Sequence, residues 1–291
     1  MTLVLGRPVA SLGQVGAGTG SPPTAPGPRA TGAYPEFRRA QEVTLFGVGA
    51  ALFVAGHLVR GDVPVVPPQG LDPGRIGWSV DRRVVGNRSL DAHVASNRTR
   101  NAAVLFPFVV ALATGPGGER WEAFRRQSLV FTQAYMVSQG LTFLGKSAFG
   151  RARPYTYLAG DVRVDDPAYD VTTSAAFSSM PSGHSSSAWT GAALAMTEYL
   201  LGHPETGWMS RGGVGLAGGA LAGSTAALRV RAGQHFPSDV LVGAGIGIAT
   251  GVAVPLLHRG GRRAPSTAAW FEMTGGAVAG TLVGILFARR Y

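Results

Sequence analysis

The chain contains no cysteine, which excludes disulfides and thiolate metal sites and leaves the redox compartment open. Charge is scarce too, since charged residues make up 14% of the chain against roughly 25% in soluble domains. Hydrophobic residues reach 45%, and this balance indicates a chain that lies in lipid. Lysine is almost absent: Lys146 is the only one among 26 basic residues.

The formal net charge is nevertheless +10. The arginines stand singly or in pairs between apolar segments, without a basic run and without interleaved aromatic residues, so they do not indicate a nucleic-acid partner. This charge is typical of the flanks of membrane helices combined with a site for an anion. The pattern leaves the oligomeric state open.

Composition divides the chain into three parts. Residues 1–35 are rich in glycine and proline and lack acidic residues, which predicts a flexible tail, and their apolar stretch is too short for a signal peptide. Residues 36–101 are predicted to form a first apolar helix and an extramembrane loop. Residues 102–291 are predicted to form the helical core that carries the motifs described below.

Seven apolar segments follow the tail, and most approach the 20 or so residues that a bilayer requires. They predict an all-α fold, a multi-spanning membrane helix bundle. The second segment is short and the third carries Gln133 and Gln139, so a buried all-helical soluble domain is the alternative. The segments are 43–59, 102–114, 127–145, 185–202, 212–228, 240–257 and 268–288.

Glycine recurs at a spacing of four in three late segments. In a membrane such glycines let helix backbones approach closely, although membrane helices are also rich in glycine in general. We expect tight packing along these three ladders. They are Gly215, Gly219 and Gly223; Gly243, Gly247 and Gly251; and Gly276, Gly280 and Gly284.

Pro181, Ser182, Gly183 and His184 stand directly before an apolar segment. Ser182 is a good N-cap, and Gly183 lets the backbone bend so that free amide groups face a ligand. A helix N-terminus of this kind binds phosphate, with ordinary capping as the alternative. His184 adds an imidazole that can protonate a leaving oxygen.

Arg229, His235 and Asp239 form a second group. Pro237 suits the first turn of a helix, which puts Asp239 near its positive end. The spacing lets the carboxylate reach back to His235, fix its tautomer and leave the other ring nitrogen free to attack. Separate capping roles for His235 and Asp239 are the alternative.

Lys146 and Arg153 form the third group. They lie on one face if the helix continues for two turns. Lysine acts on phosphate as a point charge and arginine as a bidentate fork, so with Arg229 they supply three cations for one phosphoryl group. Snorkelling at a membrane boundary is the alternative, but it does not explain why the only lysine stands here.

In order and spacing, these groups resemble the three-part signature of the type 2 phosphatidic acid phosphatase superfamily: Lys146 with Arg153 and Pro154, then 181–184, then Arg229 with His235 and Asp239. The resemblance implies a six-helix phosphatase core, to which the seventh segment adds one helix. One position differs, because Leu228 stands where the family usually has serine. This puts one hydroxyl contact to phosphate in doubt.

The resemblance implies a role for each motif residue. His235 attacks phosphorus and forms a phosphohistidine, Asp239 orients it, and His184 protonates the leaving alkoxide. No metal or cofactor is implied. The phosphate oxygens are held by Lys146, Arg153, Ser182, the Gly183 amide and Arg229.

Other titratable residues are expected to stay outside the chemistry. This applies to the histidines His57, His93, His203 and His258, which are predicted to be boundary or loop residues. The acidic residues Asp161, Asp165, Asp166 and Asp170 are predicted to form a solvated loop near the entrance.

The motifs lie at the ends of apolar segments, which alternate crossings bring to one side of the membrane. The resemblance implies the periplasmic or outer face of a bacterial inner membrane, with short arginine-bearing connections inside. Arg289 and Arg290 then end outside, against this rule. Either the last segment is not a full crossing or the number of crossings differs.

The sequence therefore favours an integral membrane, metal-independent phosphatase acting on a lipid phosphate or pyrophosphate. A soluble or periplasmic acid phosphatase and a vanadate-dependent haloperoxidase are alternative enzymes. A membrane protein that binds phosphorylated lipid without turnover is the alternative from another class.

Overall fold

The computed structural model describes residues 39–60, 63–65, 71–115, 117–118, 120–158 and 166–291. Over these residues the chain is all-α and contains no strand, so the predicted fold class is confirmed. The tail predicted for residues 1–35 lies outside the described residues. The α-helices are α1 (Arg39–Arg60), α2 (Ser79–Arg82), α3 (Leu90–Thr114), α4 (Arg120–Phe149), α5 (Gly183–Gly202), α6 (Trp208–Arg231), α7 (Pro237–Leu257) and α8 (Thr267–Ala288).

Three of these helices are long and apolar enough to cross a membrane. They are α1, α7 and α8, with apolar stretches of 21, 21 and 22 residues and mean hydropathies of 1.7, 2.2 and 1.5. Large apolar side chains on α8 point outward, among them Phe271 at 74% exposure. These helices fit an α-helical membrane protein, because such a surface suits lipid better than water.

Helix α3 begins well before the apolar segment that predicted it. Ser89 caps its N-terminus by accepting a hydrogen bond from the Ala92 amide at 3.2 Å. The loop predicted to reach residue 101 was therefore wrong from Leu90 onward. The first turns of α3 carry polar residues because they face the ends of other helices. A polar stretch of this kind resembles a loop in sequence.

The helices alternate in direction, so α4 and α6 end where α3, α5 and α7 begin. We call this the motif end of the bundle. The Ser182 amide donates to the Asp239 carbonyl at 3.0 Å there, and Ser89 Oγ donates to the Tyr291 carbonyl at 3.1 Å. At the opposite end, the far end, Gln41 donates to the Leu257 carbonyl at 2.8 Å.

Helix α8 has 22 residues and its C-terminus lies at the motif end. The last apolar segment is therefore a helix long and apolar enough to cross a membrane. Arg289 and Arg290 follow it at the motif end.

The glycine ladders pack as expected. A methyl group added to Gly219 on α6 would overlap the Ala277 carbonyl oxygen, and one added to Gly280 on α8 would overlap that of Leu216. On α7, a methyl group at Gly247 would overlap the Ser186 carbonyl oxygen of α5. Close backbone contact of this kind replaces the hydrophobic effect that lipid does not supply. It also fixes the ends of α6 and α7, where Arg229 and Asp239 lie.

Candidate active site

Lys146 lies in the last turn of α4 with only 4% of its surface exposed. Its ammonium group donates to the Ser178 carbonyl, and its Cε lies 4.0 Å from the point where a Gly183 Cβ would stand. The only lysine therefore reaches the start of α5, beside the predicted phosphate-binding amide.

Arg153 reaches the same region by a different path from the one predicted. Helix α4 ends at Phe149, and Gly150 turns the chain with a φ of 52°, a left-handed conformation that favours glycine. The helix does not continue to Arg153, so the condition for one shared helix face is not met. Arg153 is buried and donates to the Ala175 carbonyl at 2.7 Å.

Gln234 joins the two predicted arginines. Its side-chain oxygen accepts from Arg153 Nη1 at 2.6 Å and from Arg229 Nη2 at 3.3 Å, while its amide nitrogen donates to the Ala168 carbonyl at 2.7 Å. One oxygen atom thus touches both guanidinium groups, so the two are close enough to bind one anion together. Gln234 stands inside the spacing between Arg229 and His235, where nothing in the sequence singled it out.

Helix α3 supplies the other contacts of Arg229. Its Nη1 donates to His93 Nδ1 at 3.2 Å and to Ser96 Oγ at 3.5 Å. His93, which the sequence left outside the chemistry, therefore contacts one of the predicted phosphate-binding residues. Arg229 is 3% exposed, and its Nε has no hydrogen-bond partner among the described residues.

His235 is 1% exposed, and its Nδ1 lies 2.7 Å from the Ser179 carbonyl oxygen. Because a carbonyl can only accept, Nδ1 carries the hydrogen and Nε2 keeps its lone pair. The nearest oxygen of Asp239 lies 3.8 Å from Nδ1, which is ion-pair range and not a hydrogen bond. The hydrogen-bond partner of this ring is therefore the Ser179 carbonyl instead of the expected carboxylate.

Burial lowers the pKa of His235 well below its ordinary range, and Arg153, Arg229 and Lys146 lower it further. The hydrogen bond to Ser179 acts in the opposite direction. His235 is therefore neutral at pH 7, the form that can act as a nucleophile. The three cations predicted from separate segments all act on this one ring.

Asp239 lies in the first turn of α7 behind Pro237, as the sequence predicts. Its Oδ2 accepts from the Phe236 amide at 2.8 Å and from Ser179 Oγ at 2.5 Å. Its Oδ1 accepts from Arg151 at 2.7 Å. Asp239 and the ring of His235 thus meet at the same residue, Ser179, through its hydroxyl and its carbonyl.

Ser182 caps α5 by accepting from the Ser185 amide at 3.3 Å, which confirms the predicted cap. Gly183 follows as the first residue of the helix. His184 Nε2 lies 2.6 Å from the side-chain oxygen of Asn97 on α3. This contact leaves Nδ1 as the ring nitrogen that can exchange a proton with a leaving group. Asn97 lay within the predicted loop and was not recognised.

Leu228 occupies the position where the resemblance leads us to expect serine. Its side chain is fully buried in an apolar cluster with Ala92, Ala95, Ala232 and Ala288. It stabilises the contact between α3 and α6 that holds Arg229 beside His93.

Two of the histidines expected to lie outside the chemistry, His203 and His258, lie at the far end. His258 is buried with its Nε2 2.9 Å from Glu42, and His203 contacts the Thr114 carbonyl at 3.1 Å.

The predicted acidic loop is described in part. Asp161 and Asp165 lie outside the described residues, while Asp166 and Asp170 each cap a turn. Across the described part of the chain, no group of three or more His, Asp and Glu side chains could hold a metal ion.

The fold and the site define a class of protein: an α-helical bundle in which a neutral histidine, a second histidine and three cations are gathered at one end, an arrangement suited to an anion. Residues 128–263 match the model of the PAP2 superfamily, and this stretch runs from α4 through α7 and includes every predicted site residue. Residues 128–263 are therefore similar to the PAP2 superfamily, whose members are phosphatases, and this match supports a phosphatase acting on phosphoesters. No curated protein and no solved structure matched the chain.

Proposed function

We propose that the chain is an integral membrane phosphatase that hydrolyses a lipid phosphate or pyrophosphate through a phosphohistidine on His235, without a metal. The observation that carries this proposal is the state of His235. Its Nδ1 is held by a carbonyl, its pKa is lowered by burial and by three cations, and its Nε2 keeps the lone pair for attack.

In the first step, Nε2 of His235 attacks phosphorus and the bond from phosphorus to the leaving oxygen breaks. Burial and the nearby Arg229 lower the pKa of His184 in the free protein, whereas the negative charge of a bound substrate favours its protonated form. In that form His184 gives its proton to the leaving oxygen, so the lipid leaves as an alcohol or, from a pyrophosphate, as a monophosphate. Lys146, Arg153 and Arg229 stabilise the charge on the three equatorial oxygens.

In the second step, water attacks the phosphohistidine while His184 takes a proton from the water. The bond between phosphorus and Nε2 breaks, inorganic phosphate leaves, and His235 returns to its neutral form. The hydrogen on Nδ1 stays bonded to Ser179 throughout, so the same tautomer enters each cycle.

A lipid substrate is favoured by the position of the site. The motif residues lie at helix ends, and α1, α7 and α8 are apolar enough to cross a bilayer. A phosphate at such an end meets the site at the membrane boundary while its chains stay in lipid. We place this end on the periplasmic or outer face of a bacterial inner membrane, as the resemblance implies.

Phosphate release from phosphatidate, phosphatidylglycerol phosphate and polyprenyl pyrophosphate, measured with EDTA present, tests the proposal. We expect the wild type to hydrolyse at least one and His235→Ala to hydrolyse none. His57→Ala, an exposed change on α1, is the matched control and should resemble the wild type. Equal inactivity of wild type and His235→Ala on all three substrates would refute the lipid phosphatase.

Trapping of the intermediate tests the mechanism separately. Substrate labelled with ³²P should leave acid-labile label on the wild type and none on His235→Ala. Substrate binding without label would favour a lipid-binding protein instead. Partition into the aqueous phase during detergent extraction, or halide oxidation with added vanadate, would favour the soluble phosphatase or the haloperoxidase.

A further inference from the structure

Arg151 contacts two carboxylates behind the nucleophile. Its Nη1 donates to Asp239 Oδ1 at 2.7 Å, and its Nη2 donates to Asp81 Oδ2 at 2.9 Å. The guanidinium carbon also lies 4.1 Å from the centre of the Phe236 ring. Phe236 directly follows His235, so Arg151 packs against the segment that carries the nucleophile.

Asp81 completes the group from α2. Its Oδ1 accepts from the Ser238 amide at 3.1 Å, and its Oδ2 accepts from Ser238 Oγ at 2.6 Å. Ser238 lies in the first turn of α7, where backbone amides have no partner within the helix. Asp81 is 2% exposed, so this carboxylate is a buried second cap on the helix that carries Asp239.

These contacts lead to His235 in two ways. Arg151 holds Asp239, Asp239 holds the hydroxyl of Ser179, and the carbonyl of Ser179 holds Nδ1 of the ring. Arg151 and Asp81 also fix Phe236 and Ser238, which follow the nucleophile in the chain. The position of Nε2 therefore depends on Arg151 and Asp81, neither of which belongs to the predicted phosphate-binding residues.

We propose that Arg151 and Asp81 are positioning residues for the nucleophile: together they hold Asp239 and the segment from His235 to Ser238 in the geometry for attack. The inference rests on the proposed phosphohistidine mechanism. Asp81 lies outside residues 128–263, so the family match contains only one of the pair.

The charges of Arg151, Asp81 and Asp239 explain why both Arg151 and Asp81 are needed. Asp239 is fully buried, and a buried carboxylate without a cation is strongly unfavourable. Arg151 supplies that cation. Without Asp81, Nη2 of Arg151 would lose its carboxylate partner. With both carboxylates the group keeps one net negative charge behind the ring, which stabilises the positive charge that His235 develops as it attacks phosphorus.

Kinetics of Arg151→Ala and Asp81→Asn on the hydrolysed substrate test the proposal. We expect kcat to fall by about 10- to 100-fold for Arg151→Ala, because a displacement of about 1 Å can cost 10²-fold. KM should change little, since Lys146, Arg153 and Arg229 still bind the phosphate. The double variant should be no slower than Arg151→Ala alone, because the two residues act as one unit. Arg82→Ala, an exposed arginine beside Asp81 on α2, is the matched control.

Chemical rescue separates positioning from a general folding defect. Added guanidinium should restore part of the kcat of Arg151→Ala, while urea, a neutral molecule of similar shape, should not. Wild-type kcat in both single variants, a loss confined to KM, or equal behaviour with guanidinium and urea would overturn the inference.

A binding measurement needs no turnover and keeps the two proposals distinguishable. Vanadate, which mimics phosphorus under attack, should bind Arg151→Ala about 10- to 100-fold more weakly than the wild type, while inorganic phosphate should bind both equally. If the wild type hydrolyses none of the three lipid substrates yet shows this pattern, the assignment as a lipid phosphatase fails, while the positioning of His235 for attack on phosphorus stands. If vanadate binds both proteins equally, the positioning role fails.

Discussion

The basic side chains at the two ends of the bundle have different kinds of partner. At the far end three basic side chains meet carboxylates: Arg262 meets Glu198 at 3.0 Å, Arg211 meets Glu272 at 2.7 Å, and the His258 ring meets Glu42 at 2.9 Å. At the motif end Lys146 donates to a carbonyl, while Arg153 and Arg229 both donate to the amide oxygen of Gln234.

This difference distinguishes basic side chains that are neutralised within the fold from those whose charge can act on a bound anion. A cation matched to a carboxylate is already neutralised, so an added anion gains little from it. Among the described residues no carboxylate lies within ion-pair distance of Arg229, and its neutral partners orient the guanidinium without cancelling its charge. Arg151 is the motif-end arginine that does meet carboxylates, Asp81 and Asp239, and Asp239 lies 3.8 Å from the His235 ring.

The largest expected effect comes from removing one charge at each end. Arg229→Gln should lower kcat/KM by about 10³-fold or more, the magnitude that an arginine contributes to phosphoryl transfer. Arg262→Gln should leave kcat/KM within about twofold but lower the free energy of unfolding by about 3 kcal/mol, because Glu198 loses its buried partner. Initial rates and denaturation in detergent measure both. A similar loss of kcat/KM in the two variants would break the comparison.

Lys146→Arg tests whether the shape of the charge matters at the motif end. The guanidinium group is larger and planar, whereas the compact ammonium of the buried Lys146 donates to the Ser178 carbonyl beside the start of α5. We expect kcat/KM to fall by about 10- to 100-fold although the charge is kept. Arg125→Lys, an exposed swap on α4 toward the far end, should have no effect. Wild-type kcat/KM in Lys146→Arg would mean that the position of the only lysine is a coincidence.

The pH dependence of the motif end should respond to its cations. Because the pKa of His235 is lowered, His235 stays neutral until the pH falls below the ordinary histidine value of about 6.5. Arg153→Gln removes a positive charge, raises the pKa of His235, and should move the acid limb of kcat/KM to higher pH. Profiles between pH 5 and 8 measure the shift, and Arg262→Gln should leave the limb in place. An unchanged limb in Arg153→Gln would contradict the electrostatic role.

The same pKa shift has a consequence for stability. Below about pH 6.5 the unfolded chain binds a proton at His235 that the folded protein does not bind, so stability falls as the pH drops. A His235→Asn variant should lose part of this dependence in denaturation experiments.

The smallest effect on activity should come from the packing that joins the two ends. Gly219→Ala places a methyl group against the Ala277 carbonyl and should lower the free energy of unfolding by about 1–3 kcal/mol. Gly245→Ala on α7 meets nothing within 4 Å and is the matched control. KM should stay near the wild-type value in both, since neither residue lies at the motif end. A large rise in KM for Gly219→Ala would show that the ends are not independent.

The helices could be predicted from the sequence because each carries a local signal. Apolar length predicted the seven long helices, Ser182 predicted the cap of α5, and Pro237 predicted the first turn of α7. The start of α3 was misread for a physical reason. Its first turns are polar because they face Arg229 and His184, and a polar stretch before an apolar one resembles a loop in sequence.

The site was readable in part. The motifs placed three cations and two histidines in order along the chain, and the structure brings the cations around His235. Asn97, Gln234, Arg151 and Asp81 could not be found in this way, because a single polar residue far from its partner has no spacing to mark it.

By itself the sequence determined the class of the fold, the order of the motif residues and the chemistry those residue types permit. Apolar length, caps and spacing act over a few turns of one helix, and each is written in adjacent residues. Only the tertiary structure decided that Ser179 holds His235, that Asp239 lies one contact further away, and that α2 and α3 complete the site. These contacts exist because glycine backbones meet along several helix pairs and bring distant helix ends to one point.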